Sequence, residues 1–274
     1  MNSRISRIGV HVLMVLLALT ILVPLYFMVV NGFKSNSEFA NNPLALPQHL
    51  TFGKYVEAVN GRNFGRLFLN SLVITVSSVL ITTAAGALAG FAFAKFRFKG
   101  RDALFNLMLP LMVIPPIVLL IPEFEVMSVL GLVNTFASVI VIYIGIMLPF
   151  TIYLLRNFFI SFPTSLIDAA LVDGCTYFRA VLRIVLPLSA PALATVVVIN
   201  AVFAWNELLI ALVFLQDEEL RTLMIGVSLF RSRLTLDVPA LMAGLTIATI
   251  PIVVLYLAGQ RYLIEGLLSG AVKD

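Results

Sequence analysis

The chain is 274 residues long, 61% hydrophobic and only 12% charged, with a formal net charge of +4 and a mean hydropathy of +1.06. Soluble domains carry about 25% charged residues in a near-even apolar and polar mix, so composition argues against a water-soluble fold. The basic excess lies between apolar runs rather than in a patch, which sets nucleic acid aside as a partner and points to orientation in a bilayer.

A hydrocarbon core about 30 Å thick takes roughly 20 apolar residues of helix rising about 1.5 Å each. The first such run is Gly9 to Val30. Arg4 and Arg7 precede it as in a secretory leader, but the run is too long and no small-x-small cleavage site follows. Asn31 to Asn70 then carries Pro43, Pro47, several asparagines and isolated aromatics, the pattern of an ordered loop with short helical pieces. His11 and His49 are isolated from other potential ligands and suggest neither a metal site nor a general base.

Further spans are predicted at Ser71 to Ala94, Ala103 to Pro122, Phe136 to Leu155, Ala190 to Leu215 and Val238 to Ala258. Gly86 and Gly90 form a GxxxG in the second span, which lets helices approach closely. Pro110, Pro115 and Pro116 in the third, Pro149 in the fourth and Pro251 in the sixth each remove a backbone donor. They suit kinks around a cavity or gate, although proline is common in membrane helices in any case. Six crossings put both termini on one side, where eleven Lys and Arg residues fall against seven on the other. Lys95, Arg97, Lys99 and Arg101 crowd one very short loop on the terminal side, so both termini are expected in the cytoplasm.

Arg156 to Pro187, between the fourth and fifth spans, is too polar for the membrane and too patterned for a slack linker. Pro163 to Asp173 has proline near a helix start and Gly174 where a helix would end. A second helix starts at a Thr176 cap and runs to Pro187, with Phe178, Val181, Leu182 and Val185 at i, i+3, i+4, i+7 and with Arg179 and Arg183 on another face. Two short helices hinged at Gly174 and fixed to the next span at Pro187 form a lever that a cytoplasmic partner can move; an amphipathic hairpin lying on lipid headgroups has the same periodicity. The single cysteine, Cys175, reads as incidental to structure.

In the fifth span, Glu207 is the one acidic residue that this reading places within the membrane, and with Trp205 and Asn206 it is a candidate lining of a translocation pathway. The alternative is a carboxylate near the outer interface paired with a neighbouring helix, beside an interfacial tryptophan. A phosphate-binding G-x-x-x-x-G-K-[ST] is missing, so the chain carries no nucleotide-binding motif of that kind. A self-contained secondary transporter or channel is the competing class, but it calls for coupling carboxylates and commonly for internal repeats.

Asp168-Ala169-Ala170, Gly174 and Ile184-x-Leu186-Pro187 keep the offsets of the E-A-A, G, I-x-L-P pattern, and here the chain resembles the permeases of ATP-binding-cassette importers, with Asp168 standing for the glutamate. Ala204 to Glu207 and the terminal stretch Glu265 to Lys273 resemble the carbohydrate branch, closest to the second permease of maltose-type systems. The resemblance implies an all-α, MetI-like fold of six transmembrane helices in the bacterial inner membrane. It also implies an EAA loop seated in a cytoplasmic ATPase dimer that holds the ATP and Mg, so that this chain binds no cofactor itself. A second permease would complete the pore as a heterodimer, and an external binding protein would deliver the sugar. The terminal residues Gly266, Ser269, Gly270 and Lys273 resemble a tail that reaches between the ATPase subunits, and Gln216 to Asp237 sits where such permeases push a loop into the binding protein. Alternating access, with ATPase closure moving the loops, is the mechanism implied.

Overall fold

The computed structural model of the chain describes residues 2–60, 63–229 and 237–271, with side chains described within 9–261. Those residues are all helix, turn and loop. In chain order the helices are α1 (Asn2–Asn31), α2 (Asn36–Asn41), α3 (Gly53–Asn60), α4 (Phe64–Lys95), α5 (Arg101–Met108), α6 (Pro116–Val129), α7 (Phe136–Ser161), α8 (Thr164–Val172), α9 (Tyr177–Ala180), α10 (Leu186–Leu188), α11 (Ala190–Asn206), α12 (Leu209–Phe214), α13 (Leu223–Ser228) and α14 (Val238–Ala271). Among the described residues, four continuous stretches are long and apolar enough to cross a bilayer: Gly9–Asn31, Phe64–Lys95, Phe136–Ser161 and Val238–Arg261. Two bent pairs bring the count to six if each is one span.

The third predicted span is one of these pairs, and it is not a single rod. Arg101–Met112 and Pro116–Val129 meet at 107°. Pro115 is extended (φ −63, ψ 130), and the adjacent Pro116 has no N–H and bars α conformation from the residue before it, so the chain turns instead of continuing. Helix α6 also passes Pro122 and ends at Val129, which carries Glu123 and Glu125 into the helical stretch. Glu207 is therefore not the sole acidic residue of the candidate spans. The fifth span is interrupted as well, because α11 stops at Asn206 and α12 begins at Leu209.

The chain divides into two compact units, Met1–Arg66 with Ile225–Ile250, and Leu67–Met224 with Pro251–Asp274. In the first, the segment after α1 is tied down by polar groups. The fully buried Lys34 donates to the carbonyls of Asn42 and Pro43 at 3.1 and 3.0 Å. Ser35 caps α2 by accepting from the Glu38 N–H, Thr51 donates to Phe33 O at 3.0 Å, and the Tyr55 hydroxyl donates to Val29 O at 3.1 Å. Lys54 pairs with Asp237 at 2.6 Å and Glu57 at 2.9 Å.

In the second unit the GxxxG glycines do what small residues permit. A Cβ on Gly86 would come within 2.4 Å of the Thr151 methyl, and one on Gly90 within 3.1 Å of the Arg156 backbone nitrogen, so α4 lies directly on α7. Thr151 in turn accepts from Asn200 Nδ2 at 2.9 Å and donates to Met147 O, joining α7 to α11 through buried, paired polar groups.

Candidate functional site: the hinged loop between α7 and α11

Helix α7 runs six residues beyond the predicted Leu155, to Ser161. Phe162 is extended (φ −69, ψ 130), as expected before proline, and Pro163 holds the N-cap position of α8. At the other end of α8 the Gly174 N–H donates to Leu171 O at 3.0 Å and the Cys175 N–H to Ala170 O at 2.9 Å. With Gly174 at φ +85 this pair of bonds is a Schellman motif, which satisfies two of the carbonyls a helix end leaves free. The left-handed conformation costs an L side chain about 1–2 kcal/mol, so the backbone favours glycine here. Space is not the constraint, since nothing lies within 4 Å of where its Cβ would be.

Thr176 then caps α9, its hydroxyl accepting from the Arg179 N–H. The helix widens to a π turn over Val181–Val185 before α10. Pro187 follows, and it has no N–H to give the carbonyl of Arg183 and a ring that crowds it, which accounts for the wider turn. The predicted apolar face is buried along one edge only. Val181 and Val185 are buried, whereas Phe178 and Leu182 are 61% and 45% exposed. Buried Ser189 donates to Val185 O at 2.6 Å, and Tyr177–Leu188 meets Ala190–Asn206 at 77°.

The loop is seated on an apolar core. Ile167, Val181 and Val185 pack with Ala87 and Phe91 of α4, Leu155 and Phe159 of α7, and Ala192 and Val196 of α11, with Phe162 at the junction. Of the sequence-predicted residues, Ala170 faces inward, Leu186 packs against the core, Ile184 is half-buried, and Asp168, Ala169, Gly174 and Pro187 are exposed. Outward the loop presents Asp168, Val172, Phe178, Arg179 and Arg183, a mixed apolar and charged surface of the kind that partners cover.

Trp205, Asn206 and Glu207 are not brought together as a sugar-binding face. Trp205 is 4% exposed and meets Phe68 edge-on at 5.5 Å. Asn206 is exposed and donates to Val202 O at 2.8 Å. Glu207 accepts from the Ile210 and Ala211 N–H groups at 2.9 and 3.1 Å and from the Tyr143 hydroxyl at 2.8 Å. Its carboxylate thus ties the break after α11 to α12 and to α7, the neighbouring-helix pairing that was one of its two readings. Trp205 also borders a cavity of about 270 Å³ whose walls are almost wholly apolar, Leu72, Val76, Val79 and Val197 among them; this lining offers little to a hydroxyl-rich solute.

The segment predicted to be a tail from residue 259 continues α14 as helix to Ala271, carrying the backbones of Gly266, Ser269 and Gly270, while Lys273 lies outside the described residues. Residues 230–236 of the Gln216–Asp237 loop also lie outside them. The start of that loop is fixed by residues that sequence reasoning missed. Asn134, at φ +63, accepts from the Gln216 and Asp217 N–H groups at 3.0 Å. Asn70 donates to Glu219 O and Arg221 O. The available signal for Asn134 was an asparagine three residues after Gly131 in a polar break between apolar runs.

The model of the family described as "Binding-protein-dependent transport system inner membrane component" matches residues 82–268, which contain the whole hinged loop. The melibiose/raffinose/stachyose import permease protein MelC of Bacillus subtilis (strain 168) is 33% identical, over 92% of this chain and 91% of its own length. The arabinooligosaccharides transport system permease protein AraQ of the same strain is 30% identical over 98% and 96%. Among solved structures, a chain of a bacterial ABC transporter involved in the import of the acidic polysaccharide alginate superposes with a TM-score of 0.84 at 24% identity, covering 95% of this chain and 97% of that one.

Proposed function

Because this chain belongs to the family of binding-protein-dependent transport system inner membrane components, a multi-pass permease whose ATPase is a separate subunit, we propose that it forms half of the pathway for a di- or oligosaccharide. Relatives named for melibiose, raffinose, stachyose and arabinooligosaccharides support that substrate class. A second permease completes the pore as a heterodimer, and an external binding protein delivers the sugar. Both termini face the cytoplasm, as the basic cluster Lys95 to Arg101 favours. The loop Phe162 to Ser189 then lies on the cytoplasmic side and docks on the ATPase dimer, which binds the ATP and Mg. Closure of that dimer moves the loop and turns the shared cavity from inward to outward.

The observation that carries this reading is the construction of the loop: two capped helices around the left-handed Gly174, buried on one side and presenting Asp168, Val172 and Phe178 on the other. A rigid body can transmit displacement that a slack linker would absorb. The terminal residues Gly266, Ser269, Gly270 and Lys273 are assigned in the same proposal to contact with the ATPase. Trp205 and Glu207 are given no direct sugar contact, since one is buried and the other internally paired, while the exposed Asn206 keeps its place as a candidate pathway residue.

The test is affinity purification through a tag on this chain alone, with the bound chains identified by mass spectrometry. The proposal expects a second permease and an ATPase, and expects Asp168→Lys to lose the ATPase while keeping the second permease. A lone homo-oligomer, or an Asp168→Lys complex with the ATPase and its stimulated hydrolysis intact, would refute it.

A further inference from the structure

The beginning of the loop and the beginning of its second helix both meet the C-terminal end of α4. Phe162 turns out of α7 into extended backbone, so its carbonyl leaves the helical ladder. Lys95, the final residue of α4, donates to that carbonyl at 2.6 Å. A cation there meets the partial negative charge of the α7 C-terminus, and a charge-assisted bond of this length is stronger than a neutral one.

The next residue reaches the loop's second helix. The Phe96 ring meets Tyr177, the first residue of α9, edge-on at 5.6 Å, and meets Phe91 at 5.8 Å. Phe91 in turn lies 5.7 Å from Phe159 of α7. Because the Phe96 N–H still donates to Ala92 O at 3.0 Å, α4 carries both residues on its own hydrogen-bonded frame. The last residue of α4 and the one after it therefore hold the beginning of the loop at Phe162 and the beginning of its second helix at Tyr177, on either side of the Gly174 hinge.

We infer that Lys95 and Phe96 are positioning residues that bind the hinged loop to α4, so that the loop and the inner end of that span move as one body when the ATPase closes. This rests on the loop being the ATPase docking element. The apolar seat shared by Phe91, Ile167, Val181 and Val185 supplies cohesion, but it is non-directional and permits sliding. The Lys95 bond and the Phe96–Tyr177 contact supply direction.

The test uses the assembled complex with its other chains free of cysteine and Cys175→Ser in this one. Nitroxides are placed at Leu88 of α4 and Leu166 of α8, which are 47% and 43% exposed. Pulsed electron paramagnetic resonance measures their separation without nucleotide and after trapping with Mg–ATP and vanadate. In the parent the separation is expected to stay constant. In the Lys95→Met, Phe96→Ala double variant trapping is expected to shift it by about 2 Å or more, the scale of helix shifts in switching proteins, with the ATPase still bound. Lys95→Arg with Phe96 kept, which can donate to the same carbonyl, should leave the separation constant as in the parent. A parent separation that changes on trapping, or a double variant as constant as the parent, would overturn the inference; so would loss of the ATPase from the double variant alone, which would make these residues part of the docking surface. Failure of the docking reading is distinguishable, because it appears as an ATPase missing from the parent preparation.

Discussion

The segment after α1 and the loop after α7 are both ordered connections, yet they are held by opposite means. Residues 32–60 are fixed by side-chain polar groups around a small aromatic cluster of Phe33, Phe52 and Tyr55: Lys34 on two carbonyls, Thr51 and Tyr55 on one each, and Lys54 between Glu57 and Asp237. Residues 162–189 are fixed by an apolar seat and by backbone geometry at Gly174, and among described residues their charged side chains Asp168, Asp173, Arg179 and Arg183 all stand exposed. The lesson is about what each segment leaves free. Spending polar groups internally makes the first segment self-sufficient; keeping them outward leaves the second ready for a partner whose binding is electrostatic and apolar together.

The comparison breaks most readily at the apolar seat. Ile167 is 4% exposed, and Ile167→Ala is expected to cost about 2–5 kcal/mol of local stability, read as faster amide exchange across α8 with no change across α3. Next comes the hinge. Gly174→Ala adds no clash and should cost only the left-handed strain of about 1–2 kcal/mol, read as lower ATPase stimulation in the assembled complex without loss of expression. Equal amide exchange in both variants and the parent would mean that the loop is not held as described.

The smallest effect belongs to the first segment. Burial opposes charge on Asp237, but its hydrogen bonds from Lys54 and the Ala240 backbone outweigh that and hold its carboxyl below the ordinary 3.8. Burial likewise opposes charge on Lys54, and its bonds to Asp237 and Glu57 outweigh it and hold the ammonium above 10.5. A depressed acid stabilises fully above its ordinary value and loses that contribution as pH falls through the depressed one. A raised base stabilises fully below its ordinary value and loses it as pH rises through the raised one. The pair should therefore contribute fully from about pH 4 to 10, and Asp237→Asn should cost about 1 kcal/mol or less, measured as a small rise in amide exchange of α3 that disappears at acid pH. A comparable pH response in α8 would erase the distinction between the two segments.

Much of the loop after α7 was readable because its determinants are local. Pro163, Gly174 and Thr176 act within a turn of themselves through fixed φ, positive φ and a side-chain cap, and the GxxxG of Gly86 and Gly90 needs only helical spacing. The 107° turn at Pro115 and Pro116 was signalled as a kink but not in size, since a proline pair removes helical bonding without saying where the chain goes next. The split of Phe178 and Leu182 from Val181 and Val185 was not readable, because helical spacing groups the four on one face without saying which edge of that face the core covers. Nor were Lys95 on Phe162, Asn200 on Thr151 or Tyr143 on Glu207, all partners 49 to 67 residues apart in sequence. Long-range polar pairing depends on which helices become neighbours, and a periodic apolar pattern does not encode that.

The central claim, that the loop after α7 rather than the segment after α1 meets the ATPase, is tested most directly by photo-crosslinking in the intact complex. A benzophenone amino acid is placed at Phe178 or Val172 of the loop, or at Leu44 of the first segment, which are 61%, 87% and 76% exposed. The account predicts a crosslink to the ATPase subunit from Phe178 or Val172 and none from Leu44; a crosslink to the ATPase from Leu44, or none from either loop position, would contradict it.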